Sequence, residues 1–259
     1  MYDTLWIGCS HSSGLYDYKN RIIDSRCGIA SRIADHYKQS WKILSFPGDG
    51  NHTFMEIVKT LDDLDELKKF KNIIVQQTYE PRLNFYEQAA HQDRMTAVID
   101  FIQSDNHEKN DVLNAAIRGH DKKVFSLIAR ELFTQHGWKF TKENINFIDV
   151  IRHIVDNIDP RNSSLPHGSI WTKAAIDYIE LVSEKNGCNF YTFKWVGSYC
   201  TQSDPGVTGL FKGNQDLLQL IKEANLQSEL SKLGCHPTEK IIQFALDILV
   251  RELDEIGYK

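Results

Sequence analysis

Hydrophobic and polar positions alternate between two regular rhythms over the first third of the chain. Thr4–Cys9 (TLWIGC) is a short apolar run that stops at a Ser/Gly-rich loop, the pattern of a buried strand. Arg21–Lys38 carries Ile22, Ile23, Ile29, Ile33, Ala34 and Tyr37 at roughly helical spacing, which predicts a helix. Trp41–Phe46 is strand-like and ends at Pro47-Gly48-Asp49-Gly50, a dense turn signal. Phe54–Phe70 is amphipathic and predicts a second helix, with acidic and lysine residues on its outer face, and Asn72–Gln77 (NIIVQQ) predicts a third strand. Strands separated by helices at this spacing predict a parallel, doubly wound sheet.

The middle third breaks the rhythm. Residues 84–158 hold no convincing strand and show helical patches at Val112–His136 and Glu143–Asn157. They predict an all-helical insertion over about 84–165, a single long crossover being the alternative. The α/β pattern then resumes with a helix over Ile170–Lys185, an Asn186-Gly187 stop and a fourth strand over Cys188–Val196. A polar loop follows (Gly197–Gly213), then a short helix (Asn214–Ala224) and a well-patterned terminal helix over Pro237–Ile256. The expected organisation is one α/β domain over residues 1–259, built as a three-layer α/β/α sandwich with a short parallel sheet.

Composition narrows the function classes. The 259 residues carry 30 basic and 35 acidic side chains, a net charge of −5, so a large nucleic-acid-binding surface is not expected. No stretch approaches the eighteen apolar residues of a membrane span, and the N-terminus has neither a basic start nor a long apolar run. Five cysteines (Cys9, Cys27, Cys188, Cys200, Cys235) without CxxC spacing suggest reduced thiols, hence a cytoplasmic protein.

In a parallel α/β sheet, ligands bind at the carboxyl ends of the strands, and the polar residues here gather in such loops. Gly8-Cys9-Ser10-His11-Ser12-Ser13-Gly14 follows strand one and Pro47-Gly48-Asp49-Gly50-Asn51-His52 follows strand two. Gln76-Gln77-Thr78-Tyr79-Glu80-Pro81-Arg82 follows strand three, and Gly234-Cys235-His236-Pro237-Thr238 precedes the last helix. A serine at the first of these and a histidine at the last suggest a nucleophile and a base that meet only in the fold.

These blocks resemble those of the SGNH (GDSL-type) hydrolases. That family opens with Gly-Asp-Ser and a trailing Gly after strand one. Here GCSHSSG places Ser10 as nucleophile and Gly14 as the glycine, with Cys9 in place of Asp. SFPGDGNHT resembles the second block, with Gly48 as its oxyanion-hole glycine. VQQTYEPR stands where the family has a Gly-x-Asn-Asp loop, so Thr78 or Gln77 must replace the oxyanion Asn. His236 in HPTEK matches the histidine of the last block, while Leu233 occupies the position of its Asp. The resemblance covers about residues 3–80 and 170–256 and is nearest to poorly characterised bacteriophage members.

What the resemblance implies is a flavodoxin-like fold and an esterase or acetylesterase acting on a small ester or an acylated carbohydrate. It needs no cofactor or metal, and it sits in the cytoplasm, or in the host cytoplasm or virion if phage-encoded. Ser10 and His236 would be catalytic. Ser10, Gly48 and Thr78 would form the oxyanion hole, and Gln77, Arg82 and Asn51 are candidate substrate contacts. The missing Asp and Asn favour a rival of another class: an inactive scaffold serving as a binding or virion-associated structural module, with a protein partner or a second copy of itself.

Plainer uses compete at several positions. Ser10 or Asn51 would serve equally as helix caps, Gly50 as a turn residue, and Arg82 as one half of a structural ion pair. Cys9 is an alternative nucleophile, and Cys9, His11, Cys235 and His236 are a zinc-friendly ligand set without the close-spaced pairs of structural zinc sites.

Overall fold

The computed structural model describes residues 2–12, 14–17, 22–46, 49–78, 83–86, 88–104, 110–114, 123–127, 166–195, 210–211, 215–230 and 237–258. In chain order they form β1 (Tyr2–Gly8), β2 (Leu15–Asp17), β3 (Ile22–Asp24), α1 (Ile29–Tyr37), β4 (Trp41–Ser45), α2 (Asn51–Asp63), β5 (Phe70–Gln77) and β6 (Leu83–Tyr86). Next come α3 (Gln88–Gln103), β7 (Asn110–Asn114), β8 (Lys123–Leu127), α4 (Pro166–Lys185), β9 (Asn189–Lys194), α5 (Leu217–Glu223) and α6 (Glu239–Glu255). Five strands make one sheet in the order β7-β4-β1-β5-β9, every neighbouring pair parallel. The protein is therefore α/β, with β1 at the centre.

Helices cover both faces, which is why the central residues Leu5–Ile7, Ile43–Leu44 and Ile73–Val75 of β1, β4 and β5 are apolar and buried. On one face Leu5, Ile7, Leu44, Ile73 and Val75 pack against α2, α3 and α4 through Phe54, Ile57, Val98, Ile176 and Ile179. On the other, Trp6, Ile43, Ile74 and Phe193 pack against α1, α5 and α6 through Ile33, Ile221, Ile242 and Leu249. At about 25 cal/mol per Å² of buried apolar surface, these two cores drive the fold.

Helix α6 has a fixed direction on its face. Its N-terminal Glu239 accepts a bidentate pair of bonds from Arg32 at 2.6 and 2.7 Å. Beyond its C-terminus, the Tyr258 hydroxyl meets Thr4 at the start of β1 and donates to Gln39 at 2.7 Å. Its end thus lies at the amino edge of the sheet, and its start at the carboxyl edge.

The segment expected to be all-helical is not. Its described part contains helix α3 and also strands β6, β7 and β8; β7 extends the main sheet beside β4, and β6 pairs antiparallel with β8. The patch read as helix over Val112–His136 includes Lys123–Leu127, a strand. Short apolar runs such as KVFSL fit either period, and pairing with a distant strand decides between them. The patch over Glu143–Asn157 lies outside the described residues.

The helix expected over Arg21–Lys38 begins only at Ile29, after β3 and a turn of 3₁₀ helix over Ser25–Cys27. The cause is tertiary. A Cβ at Gly28 would stand 2.9 Å from the Ser12 carbonyl oxygen and 3.0 Å from Gly14 Cα, so the loop after β1 packs on bare backbone where the helix starts. No helix among the described residues is long and apolar enough to cross a membrane.

Candidate active site

All five strands of the main sheet point the same way, so their carboxyl ends (Gly8, Ser45, Gln77, Asn114, Lys194) form one edge. The loop after β1 begins with a tight turn in which the Ser12 N–H donates to the Cys9 carbonyl at 2.9 Å. This is a β-turn of four residues with Ser10 and His11 at its corners. Ser10 is half-buried, whereas Cys9, His11 and Ser12 are buried. Neither the hydroxyl nor the N–H of Ser10 has a hydrogen-bond partner among the described residues.

The residues around it are held firmly. The Trp6 indole N–H donates to Ser12 Oγ at 2.8 Å, and Ser12 Oγ donates to Gln76 Oε1 on the neighbouring strand. The other end of the Gln76 amide donates to Cys9 Sγ at 3.3 Å. Ser45 Oγ donates to the Cys9 carbonyl at 3.0 Å. Cys9 Sγ lies 3.2 Å from His11 Nδ1, and the His11 ring stacks on Trp195 with centroids 4.5 Å apart. Among the described residues Ser10 is therefore the uncommitted member of an otherwise bonded turn.

Asn51 is the first residue of α2, whose N-cap is Gly50, so it does not cap the helix. Its Oδ1 accepts from the Thr78 N–H at 2.9 Å, and its Nδ2 donates to the Thr78 carbonyl at 3.2 Å and to Thr172 Oγ1 at 3.1 Å. The side chain behaves as a backbone splint, tying the end of β5 to the start of α2 and to α4. Gln77 points to the opposite face from Gln76: its Nε2 donates to Thr192 Oγ1 at 2.9 Å, while its Oε1 has no hydrogen-bond partner among the described residues. Asp49 and Arg94 form an ion pair buried against Phe46, whose ring lies 5.6 Å from the guanidinium carbon.

The fold thus brings Ser10, Asn51, Gln77 and Thr78 to one edge. Gly48, Arg82 and His236 lie outside the described residues. Pro237, the next residue after His236 in the chain, is buried beside the start of α6 and so belongs to the same edge. Of the zinc-friendly set, Cys9 and His11 are adjacent, and Cys235 and His236 lie outside the described residues. Among the described residues no group of three or more His, Cys, Asp or Glu side chains could hold a metal ion.

Sequence reasoning passed over Ser12, Arg94 and Trp195. Gln76 carried a signal, as a glutamine ending an apolar strand run; Arg94, one charge within an amphipathic helix, carried none. No protein-family model matches the chain, and a search of curated proteins finds no match.

Proposed function

We propose that the protein is a serine hydrolase of the SGNH type, with a flavodoxin-like sheet, acting on a small ester or an acylated carbohydrate in the cytoplasm. The observation that carries this reading is the position and freedom of Ser10. It stands at the corner of a turn at the end of the central strand, with hydroxyl and N–H uncommitted among the described residues while Cys9 and Ser12 on either side are bonded. Pro237 and the start of α6, which follow His236 in the chain, lie at the same edge.

In this reading Ser10 Oγ attacks the ester carbonyl carbon as His236 takes its proton. The Ser10 and Gly48 N–H groups and the Thr78 side chain donate to the tetrahedral oxyanion. The Thr78 N–H already donates to Asn51, so the backbone of Thr78 does not serve that role. The C–O bond then breaks, His236 returns the proton to the departing alkoxide, and water repeats the sequence to release the acid. Arg82 is the candidate contact for an anionic group on the substrate. Asn51, fully engaged in the fold, would act on substrate only by holding Thr78 in place.

The test is labelling by a fluorophosphonate probe, run beside Ser10→Ala and His236→Ala. The expected result is labelling of the wild type that both substitutions abolish. Absence of labelling in a folded wild type overturns the reading.

A second reading rests on a specific observation. Asp49, Asn51, Gln76, Cys9 and Ser12 are all buried and bonded to one another or to neighbouring elements. An edge saturated in this way also suits an inactive scaffold that binds a protein partner or a second copy of itself, and a failed labelling experiment would favour it.

A further inference from the structure

We infer that Gln76 is the positioning residue for the Ser10 turn, an inference that rests on the reading of Ser10 as nucleophile. The argument follows hydrogen-bond direction. An indole N–H can only donate, so Trp6 occupies a lone pair of Ser12 Oγ. The single hydroxyl proton of Ser12 then goes to Gln76 Oε1. That bond fixes which way the amide faces, and its Nε2 end is turned to Cys9 Sγ. One side chain of β5 thereby holds both flanks of Ser10, the residue before it and the residue two beyond it.

The packing leaves no slack in this relay. A Cβ on Gly8 would stand 2.3 Å from Ser12 Oγ and 2.8 Å from Gln76 Oε1, so the network rests directly on the backbone of β1. Burying an amide directly after the apolar run Ile73–Val75 is costly unless it is bonded. Among the described residues the Gln76 side chain has no partners except Ser12 and Cys9. Its bonds serve the turn and nothing else in the described structure.

The experiment measures kinact and KI for a fluorophosphonate on the wild type, Ser10→Ala, Gln76→Met and Cys188→Ala, all below their melting temperatures. Cys188 is a control for general loosening: it is buried at the opposite edge, where its Sγ lies 3.5 and 3.3 Å from the carbonyl oxygens of Leu67 and Phe70. Displacing a reacting group by 1 Å costs roughly 10²-fold in rate, so Gln76→Met should lower kinact by about that factor with KI unchanged. Cys188→Ala should leave kinact unchanged. The Trp6 indole N–H resonance should move in Gln76→Met and stay in place in Cys188→Ala.

Wild-type kinact in Gln76→Met, with Ser10→Ala unlabelled, overturns the role of Gln76 and leaves Ser10 standing. Equal loss of kinact in both buried variants also overturns it. An unlabelled wild type removes the nucleophile and the inference together. Should Gln76→Met fail to fold, Ser12→Ala removes the same link with a smaller change of volume, and the same outcomes apply.

Discussion

Asp49 and Arg94 are the residues whose burial is hardest to sustain, at 1% and 6% exposed. Each ion alone would lose several kcal/mol of hydration, and its partner offsets much of that loss. The pair ties the loop after β4 to α3. Removing one partner by Arg94→Met or Asp49→Asn should cost about 3–5 kcal/mol in urea unfolding. Replacing both by leucine should recover much of it, since the uncompensated charge is then gone. Single variants costing less than about 1 kcal/mol would mean that water reaches the pair.

Helix α4 ends where the sequence places its stop. The Cys188 N–H donates to the Ser183 carbonyl and the Gly187 N–H to that of Glu184, both at 2.9 Å, with Gly187 at φ +75°. This is a Schellman closure, in which the left-handed residue has no Cβ to clash. Nothing lies within 4 Å of a Cβ built there, so Gly187→Ala tests backbone strain alone. It should cost about 1–2 kcal/mol in thermal unfolding while leaving probe labelling intact. Elements of this kind were legible because their signals are local: a glycine after an amphipathic helix, or apolar runs ended by turn residues. The position of Ser10 just after β1 was legible for the same reason. The late start of α1 and the strands β7 and β8 were not, because contacts with Ser12, Gly14 and β4 decide them. The partnership of Arg94 with Asp49 was hidden likewise, joining residues 45 apart whose neighbours in sequence give no sign of each other.

Across the whole molecule, one exposed-to-buried seam joins α2 to the end of α4. Asn186 Nδ2 donates to Asp62 Oδ1 at 2.8 Å, and Lys185 Nζ lies 2.9 Å from Asp62 Oδ2. The Asn186 bond first, and the Lys185 bond and charge next, hold the Asp62 carboxyl below its ordinary range, against the opposing pull of desolvation. A depressed folded-state value means stability that is present above the unfolded carboxyl range and lost as pH falls through the folded one. Wild type should therefore exceed Asp62→Asn in melting temperature at neutral pH, with the gap closing below about pH 4. A gap constant down to pH 2 would show that Asp62 contributes nothing through its charge.

The contact between Thr4 and Tyr258 spans 254 residues, and α6 supplies much of the layer over Trp6, Ile43 and Ile74. On the ribosome this half of the core has to wait. The opposite face can close once α2, α3 and α4 have emerged, but the Trp6 face stays partly bare until residues 239–258 are made. The nascent chain therefore carries an exposed aromatic face through most of its synthesis, the kind of surface that holdase chaperones shield.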